Sequence, residues 1–167
     1  MKFKNRKWRP LRLRKLRYGK LLLLIIMFAA TVFVIRSVVL VVLPSDADAA
    51  RNAVHQFYSL EQASDFGSSW AMFHPYMQQK FTKSRYIQVR NHIIMEHFGV
   101  NTFDFTLSQV KSIGDWSMSL DTPTLSNVYC VSVTQRFHGQ TFGSFDLQQE
   151  VYATKSEGEW RLLWAYP

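Results

Sequence analysis

The sequence is poor in several residues on which common chemistries depend. Cys130 is its single cysteine, so the chain cannot form an internal disulfide or a paired-cysteine metal site. Its seven glycines form no phosphate-binding loop and no nucleophile elbow. No acidic residue precedes Asp46. These absences exclude the nucleotide-binding motifs and disulfide scaffolds that can be recognised from sequence, and the last one directs attention to the segment before Asp46.

That segment combines a dense block of cations with a long apolar run. Residues 2–20 include ten basic side chains, and residues 21–43 follow with one charge, Arg36. As a helix, the apolar run would be roughly 34 Å long, which is enough to cross the hydrocarbon core of a membrane. Because Lys and Arg remain on the cytoplasmic side, the sequence predicts a single-pass protein of the cell membrane with a cytoplasmic N terminus.

The predicted organisation has three parts: a basic cytoplasmic tail (1–20), a transmembrane helix (21–43) and an extracytoplasmic domain (44–167). The net charge of +8 arises in the tail, because the domain carries nine basic and twelve acidic residues. We therefore expect no nucleic-acid partner, and we expect the tail to lie against anionic lipid headgroups. An exported domain without disulfides is typical of the bacterial cell envelope.

A cleavable signal peptide is the alternative to a retained anchor. Ala47-Asp48-Ala49 is a small-x-small pattern of the kind that signal peptidase cleaves, and cleavage after Ala49 would release a soluble domain. Against cleavage, the apolar run is longer than the roughly 7–15 residues of a signal peptide, and Arg36 interrupts it. The sequence therefore favours the anchor.

Arg36 has two interpretations within the predicted span. It lies about 10 Å from the outer end of the helix, where its side chain can extend to the outer headgroups. Alternatively, it is an intramembrane contact for an acidic or polar residue of a partner's helix, because charges inside a membrane are costly and often functional. The sequence leaves both interpretations open.

Three helices are predicted at the start of the domain. The first has capping residues at its start and apolar residues at helical spacing over about 46–63. The second follows Asp65 and breaks or restarts at His74-Pro75, because the residue before a proline avoids the helical conformation. The third is expected over about 82–99, where Gly99 would end it.

The remainder of the domain changes to the period of β-strands. Alternation of apolar and polar residues predicts strands at 103–107 and 116–120, and then at 128–137, at 145–154 and from 160 onward. Helices followed by a meandering antiparallel sheet predict a single α+β domain.

This order of elements resembles the nuclear transport factor 2-like superfamily, which includes ketosteroid isomerase-like and SnoaL-like proteins. The resemblance covers 46–167 and is carried by Glu61 and Asp65, by Trp-x-x-Phe-His-Pro at 70–75, by an aromatic third helix and by Gly-Glu-Trp-Arg-Leu-Leu at 158–163. It implies a cone in which three helices pack on a curved antiparallel sheet. The basic tail, single span and short linker are similar in layout to bitopic subunits of bacterial secretion and sporulation channels.

An enzyme on such a fold needs a carboxylate or histidine inside the cone that burial tunes to act as a base. No catalytic pattern of the superfamily maps onto this chain residue by residue, so we assign no catalytic residue, no metal ligand and no cofactor. Asp104 and Asp146 alternate away from the apolar strand faces and are expected to face solvent. Five aromatic residues are candidates for the lining of a ligand pocket, with ordinary core packing as the alternative: Trp70, Tyr86, Trp116, Tyr129 and Trp160.

These observations favour a non-enzymatic interaction module that is anchored in a bacterial cell membrane and assembles with itself or with other envelope proteins. The alternative is a small-molecule-binding protein, or an isomerase-like or dehydratase-like enzyme, that uses the cone as a pocket and is released by signal peptidase. The interior discriminates between the two. A filled interior favours the interaction module, and a deep cavity that holds an Asp or a His favours the alternative.

Overall fold

The computed structural model of the protein describes residues 12–42, 44–93, 100, 102–139 and 143–166. The chain divides into two compact units, Met1–Leu43 and Pro44–Pro167. Residues 1–11 of the basic tail and the predicted end of the third helix at Gly99 lie outside the described residues.

The first unit contains helix α1 (Arg12–Val42). Its segment Gly19–Ser37 has a mean hydropathy of 2.2, and none of that segment is buried. The hydroxyl groups of Thr31 and Ser37 donate hydrogen bonds to main-chain carbonyls four residues earlier, so these polar groups are satisfied within the helix. Over the part of the chain that the structure describes, α1 is the one helix whose length and composition fit a membrane span or a signal sequence.

The described part of the second unit begins with four helices: α2 (Asp46–Gln62), α3 (Phe66–Ala71), α4 (Pro75–Lys80) and α5 (Lys83–Asn91). Each helix follows a capping residue whose side chain accepts a hydrogen bond from a backbone N–H of the first turn. These capping residues are Ser45, Asp65, His74 and Thr82.

The helix that was predicted to follow Asp65 is two helices. α3 ends at Ala71, and α4 begins at Pro75 after an extended residue, His74. Proline fits the first position of a helix because its missing N–H would have no partner there, and it excludes the residue before it from the helix. The described residues of this domain thus contain four helices where three were predicted, and the interruption lies at His74-Pro75 as the sequence indicates.

Five strands follow the helices in the described residues: β1 (Asp104–Leu107), β2 (Lys111–Trp116), β3 (Leu125–Gly139), β4 (Gly143–Ser156) and β5 (Glu159–Leu163). They form one antiparallel sheet in the order β1-β3-β4-β5, and β2 also pairs with β3. The hairpin of β3 and β4 is the centre of the sheet, and its register is continuous from Tyr129–Ala153 to Gly139–Gly143. The predicted α+β class is confirmed.

The second predicted strand, at 116–120, is misplaced, because β2 ends at Trp116. Met118 is buried beyond the end of that strand. The chain turns directly afterwards, since the hydroxyl of Thr122 accepts a hydrogen bond from the N–H of Ser119 and donates one to its carbonyl. The polar turn residues outweigh the apolar alternation here.

The core of the second unit lies between α2 and the sheet, because α2 contacts β1, β3, β4 and β5. Val54 and Phe57 of α2 are fully buried, as are Val131 and Val133 of β3. The junction between α3 and α4 is held to β5 by hydrogen bonds from the N–H of Leu162 to Met72 and from the N–H of His74 to Leu162. Cys130 of β3 is buried too, as the apolar pattern around it predicts.

Candidate functional site

A carboxylate on the buried face of α2 is the most unusual feature of the interior. Val54, Phe57, Tyr58 and Glu61 are separated by the intervals of three and four residues that place side chains on one face of a helix. All four are buried, and only 1 % of Glu61 is exposed. Charged side chains are almost never buried to this extent unless they are paired, so Glu61 must have partners.

The carboxylate of Glu61 accepts hydrogen bonds on both of its oxygens. Its Oε1 accepts from the hydroxyl of Ser69 on α3 and, at 2.8 Å, from the hydroxyl of Tyr86 on α5. Its Oε2 accepts from the guanidinium of Arg90, which also forms an ion pair with it. We call Glu61, Ser69, Tyr86 and Arg90 the carboxylate cluster. It joins three helices through one side chain.

The position of Arg90 follows from the spacing on α5. Tyr86 and Arg90 are four residues apart and therefore lie on the same face of that helix. The side chain of Arg90 is 15 % exposed and that of Glu61 is not exposed at all, so water screens their attraction weakly. Burial is the largest single influence on the pKa of Arg90 and acts to lower it, but the Glu61 carboxylate and the two neighbouring phenols together raise this pKa above its ordinary value. Arg90 therefore remains the positive partner.

Two phenol groups lie in this electrostatic environment. Burial, followed by the negative charge of Glu61, raises the pKa of Tyr86 far above its ordinary value. Burial likewise raises the pKa of Tyr58, with Arg90 acting in the opposite direction. Both phenols therefore stay protonated and act as hydrogen-bond donors, Tyr86 to Glu61 and Tyr58 to the Oε1 atom of Gln149, at 3.1 Å.

Aromatic rings pack against one another beside the carboxylate cluster. The rings of Phe73 and Tyr86 lie 5.1 Å apart and edge to face, and the ring of Trp164 lies 5.0 Å from that of Phe73. Phe57 contacts both Phe73 and Trp164. A network of this kind stabilises a single packing arrangement.

The structure brings together two of the five aromatic residues that the sequence offers as a pocket lining. Tyr129 of β3 and Trp160 of β5 lie 5.7 Å apart and edge to face. Tyr86 belongs to the carboxylate cluster, Trp116 stacks on Tyr152 at 4.0 Å, and the indole N–H of Trp70 donates to the carbonyl of Phe81. The last three thus have separate surroundings.

Tyr129 and Trp160 line a surface depression of about 260 Å³ near the start of α2. Its other lining residues are Asp46, Ser126, Asn127, Thr154 and Lys155. The ammonium of Lys155 lies 2.7 Å from a carboxylate oxygen of Asp46 and 5.2 Å from the centre of the Trp160 ring. Lys155 thus already occupies the aromatic surface, and it connects β4 to the first turn of α2.

The titratable residues that the sequence places on the strands are exposed. Asp146 forms a bidentate pair with Arg136 across β3 and β4, with both distances at 2.8 Å, and this contact lowers the pKa of Asp146. Asp104 lies 3.3 Å from His138 on the same face of the sheet. His55 of α2 is also exposed, with its ring 5.3 Å from that of Phe105.

The amide nitrogen of Gln135 is a buried donor without a hydrogen-bond partner. Gln135 is 1 % exposed and lies on β3 between Phe105 of β1 and Leu147 of β4. An unpaired buried donor costs about 1–3 kcal/mol, so natural proteins keep few of them. The contacts of the described residues do not explain why this amide is buried.

Sequence reasoning passes over the carboxylate cluster, although a signal for it is present. Glu61 continues the apolar stripe of α2, where the pattern predicts a hydrophobic residue, and a charge at such a position indicates a buried polar network.

Within the described residues, no three His, Cys, Asp or Glu side chains come close enough to hold a metal ion. No model of a known protein family matches this chain, and no curated protein is significantly similar to it.

Proposed function

We propose that the protein is a membrane-anchored, non-enzymatic interaction module of a bacterial cell envelope and a subunit of a membrane assembly. The observation that carries this proposal is the complete pairing of Glu61, the one fully buried carboxylate among the described residues. A general base needs an oxygen that faces its substrate. Both oxygens of Glu61 face helices of the same domain, so this residue acts in folding rather than in catalysis.

The order and packing of the elements support a nuclear transport factor 2-like cone for the second unit. Helices precede an antiparallel sheet, α2 lies across several strands, and aromatic rings on the buried face of α2 pack against one another. Close aromatic packing at this face favours an interaction role over a ligand pocket there, because a ligand site is a concave space that buries most of its ligand.

The start of α2 supports a retained anchor. The candidate cleavage motif Ala47-Asp48-Ala49 lies within the first turn of α2, and Ala50, which would become the new N terminus, is fully buried. Cleavage would remove the capping residue Ser45 and the ion pair of Asp46 with Lys155, and it would leave a charged amine at a buried position. The fold is therefore consistent with an uncleaved chain, and the ten cations before the span then favour a cytoplasmic N terminus.

Paired substitution of the carboxylate cluster tests this proposal. Glu61→Gln retains an acceptor oxygen for Ser69 and Tyr86 but cannot act as a base, and it leaves the Arg90 guanidinium buried without a counter-charge. We expect the single variant to lose about 3–5 kcal/mol in its free energy of unfolding. Adding Arg90→Met removes the unpaired charge, so the double variant should regain most of that stability. When it is expressed in cells that lack the protein, it should restore wild-type function.

The matched control is the exposed pair, in which Arg136→Met with Asp146→Asn should leave the free energy of unfolding nearly unchanged, because water and salt screen exposed charges. The free energy of unfolding is measured by denaturant titration of the full chain in detergent, with tryptophan fluorescence as the signal. A double variant that is folded and membrane-inserted but has no cellular function would contradict the non-enzymatic role.

Small-molecule binding is a second candidate, and the unpaired amide donor of Gln135 favours it. Gln135→Leu separates the two candidate functions, because it replaces the amide with an apolar side chain of similar size. The interaction role predicts full cellular function and a stability that is equal or higher by about 1 kcal/mol, since an unpaired buried amide is removed. If the variant is stably folded and inactive, the amide serves a ligand.

A further inference from the structure

The sheet of the second unit protects most of its edges. β1 has four residues. β2 has register shifts on either side of Gly114, whose φ of +81° interrupts the strand. β5 has five residues, and its Leu162 forms a bridge with Phe73 beyond it. Short strands, bulges and covered edges are the usual means by which proteins prevent pairing with a further strand.

The edge of β4 has no such protection over 146–149. β5 pairs only with Tyr152–Ser156, so β4 extends well beyond the strand that covers its end. On the side away from β3, the backbone of 146–149 has no hydrogen-bond partner among the residues that the structure describes. The stretch contains no proline, lysine or bulge, and its Leu147 is 43 % exposed. An uncovered strand of this kind is a template for β-augmentation.

We propose that a second copy of this chain pairs with the free edge of β4 in antiparallel orientation, about a two-fold axis that passes beside Leu147. The two Leu147 side chains then lie opposite each other and cover their exposed apolar surface. The result is a closed, symmetric dimer in which the two sheets become continuous, and no free strand edge remains at this position.

The charges along β4 determine the register. With Leu147 opposite its copy, Asp146 lies opposite Gln148 and Ser144 lies opposite Glu150, so every acidic residue faces an uncharged one. A register that centres on Gln148 would instead place Asp146 opposite Glu150, and like charges across a strand pair are destabilising. Asp146 is also charge-paired with Arg136 of its own sheet, which reduces repulsion between the copies.

This inference rests on the proposed function for its strength, because a short strand pair is a weak contact. Two copies that are anchored in one membrane meet at a high effective concentration, which converts a weak contact into a populated dimer. The dimer would then be the repeating unit of the membrane assembly.

Disulfide formation between single cysteines in membranes tests the proposal. Opposite Cα atoms in an antiparallel pair lie about 4.5–5.5 Å apart, which is within disulfide range, so Leu147→Cys should form a covalent dimer on mild oxidation. Ile113→Cys on β2 is the matched control, since Ile113 is 42 % exposed and Leu147 is 43 % exposed. Gln148→Cys tests the register, because its two copies would be offset by two residues along the strands and beyond disulfide reach. The native Cys130 is buried, and the amount of disulfide-linked dimer that it forms is measured in the wild-type chain.

We expect at least about tenfold more disulfide-linked homodimer for Leu147→Cys than for either control, since only its two sulfur atoms are held in range. Resistance of the reduced variants to a protease verifies that they are folded. An equal yield for Leu147→Cys and Ile113→Cys would overturn the proposal, as would a dominant disulfide to a different protein. A yield for Gln148→Cys as high as that for Leu147→Cys would overturn the register. If these results are negative while the chain still occurs in a membrane complex, the edge contact fails and the proposed function stands.

Discussion

Among single residues, Glu61 shows how a buried charge can be structural. Its carboxylate stands where the apolar stripe of α2 predicts a hydrophobic side chain, and two other helices, α3 and α5, supply its donors. The sequence shows that Glu61 lies on this stripe, but it does not show which residues donate hydrogen bonds to it. Ser69 and Arg90 lie 8 and 29 residues further along the chain, and only the fold brings them to the same place. For this reason the sequence identifies five aromatic residues as candidates for a site but does not identify the polar network around Glu61.

His74 is a residue whose surroundings predict a pH dependence. It is 6 % exposed, and its Nδ1 atom accepts a hydrogen bond from the N–H of Tyr76 at the start of α4. Burial, followed by the positive charge of Arg161, lowers the pKa of His74 below its ordinary value. An unfolded histidine takes up a proton below about pH 6.5, whereas the folded one does so only at lower pH. The stabilising contribution is therefore complete above about pH 6.5 and is lost as the pH falls toward the folded pKa.

We predict that the free energy of unfolding falls between about pH 7.5 and about pH 5.5, and that His74→Asn reduces this fall. Asparagine can still cap α4 but does not titrate, so this variant separates the effect of protonation at residue 74 from the effect of losing the helix cap. Denaturant titrations at the two pH values measure the difference. The pKa values of Asp65 and Asp146 are lowered as well, but from a value near 3.8, so these residues act at lower pH. An identical pH dependence in the variant would show that His74 is not the titrating group.

At the scale of secondary-structure elements, the sequence predicts what depends on local signals. The capping residues and the apolar stripe are sufficient to place α2, and Pro75 is sufficient to interrupt the helix that follows Asp65. The strand assigned to 116–120 is wrong because alternation of apolar residues cannot distinguish a strand from a turn in which one of them, Met118, is buried and another, Leu120, is exposed. The stacking of Trp116 on Tyr152 and the hydrogen bonds of Thr122 decide that segment, and both depend on tertiary structure or on turn chemistry.

Helix α1 provides a prediction through Arg36. Two of its polar residues, Thr31 and Ser37, bond to their own helix, whereas Arg36 carries the one charge of the apolar run. If Arg36 contacts a partner inside the membrane, Arg36→Leu should insert more readily and yet reduce crosslinking to that partner several-fold. Removal of the charge lowers the cost of insertion by at most about 2.5–3.5 kcal/mol.

Thr31→Leu is the control for Arg36→Leu, because it makes the same helix more apolar without removing a charge. Crosslinks are quantified with a photoreactive residue placed next to position 36, and insertion is quantified by resistance to alkaline extraction. Equal crosslinking by Arg36→Leu and wild type would contradict a partner contact at Arg36. The side chain of Arg36 would then extend to the outer lipid headgroups.

At the scale of the whole molecule, the division of charge is the property that suggests a place in the cell. Ten cations precede the apolar run of residues 21–43, and the second unit is mildly acidic, so the high net charge does not indicate binding of nucleic acid. The fold class follows from the change of period along the chain, from helical spacing before Asn91 to alternation after Phe103. The cone and the membrane assembly are proposals, because fold class alone does not determine a partner.

The most direct test of this account is the mass of the species that a mild detergent releases from membranes, measured by native mass spectrometry. An uncleaved, anchored subunit predicts full-length chains in complexes of two or more copies, alone or together with other envelope proteins. The same spectrum reports both the processing of the chain and its assembly. Full-length monomers as the sole membrane species, or a soluble chain that begins at Ala50, would contradict the account.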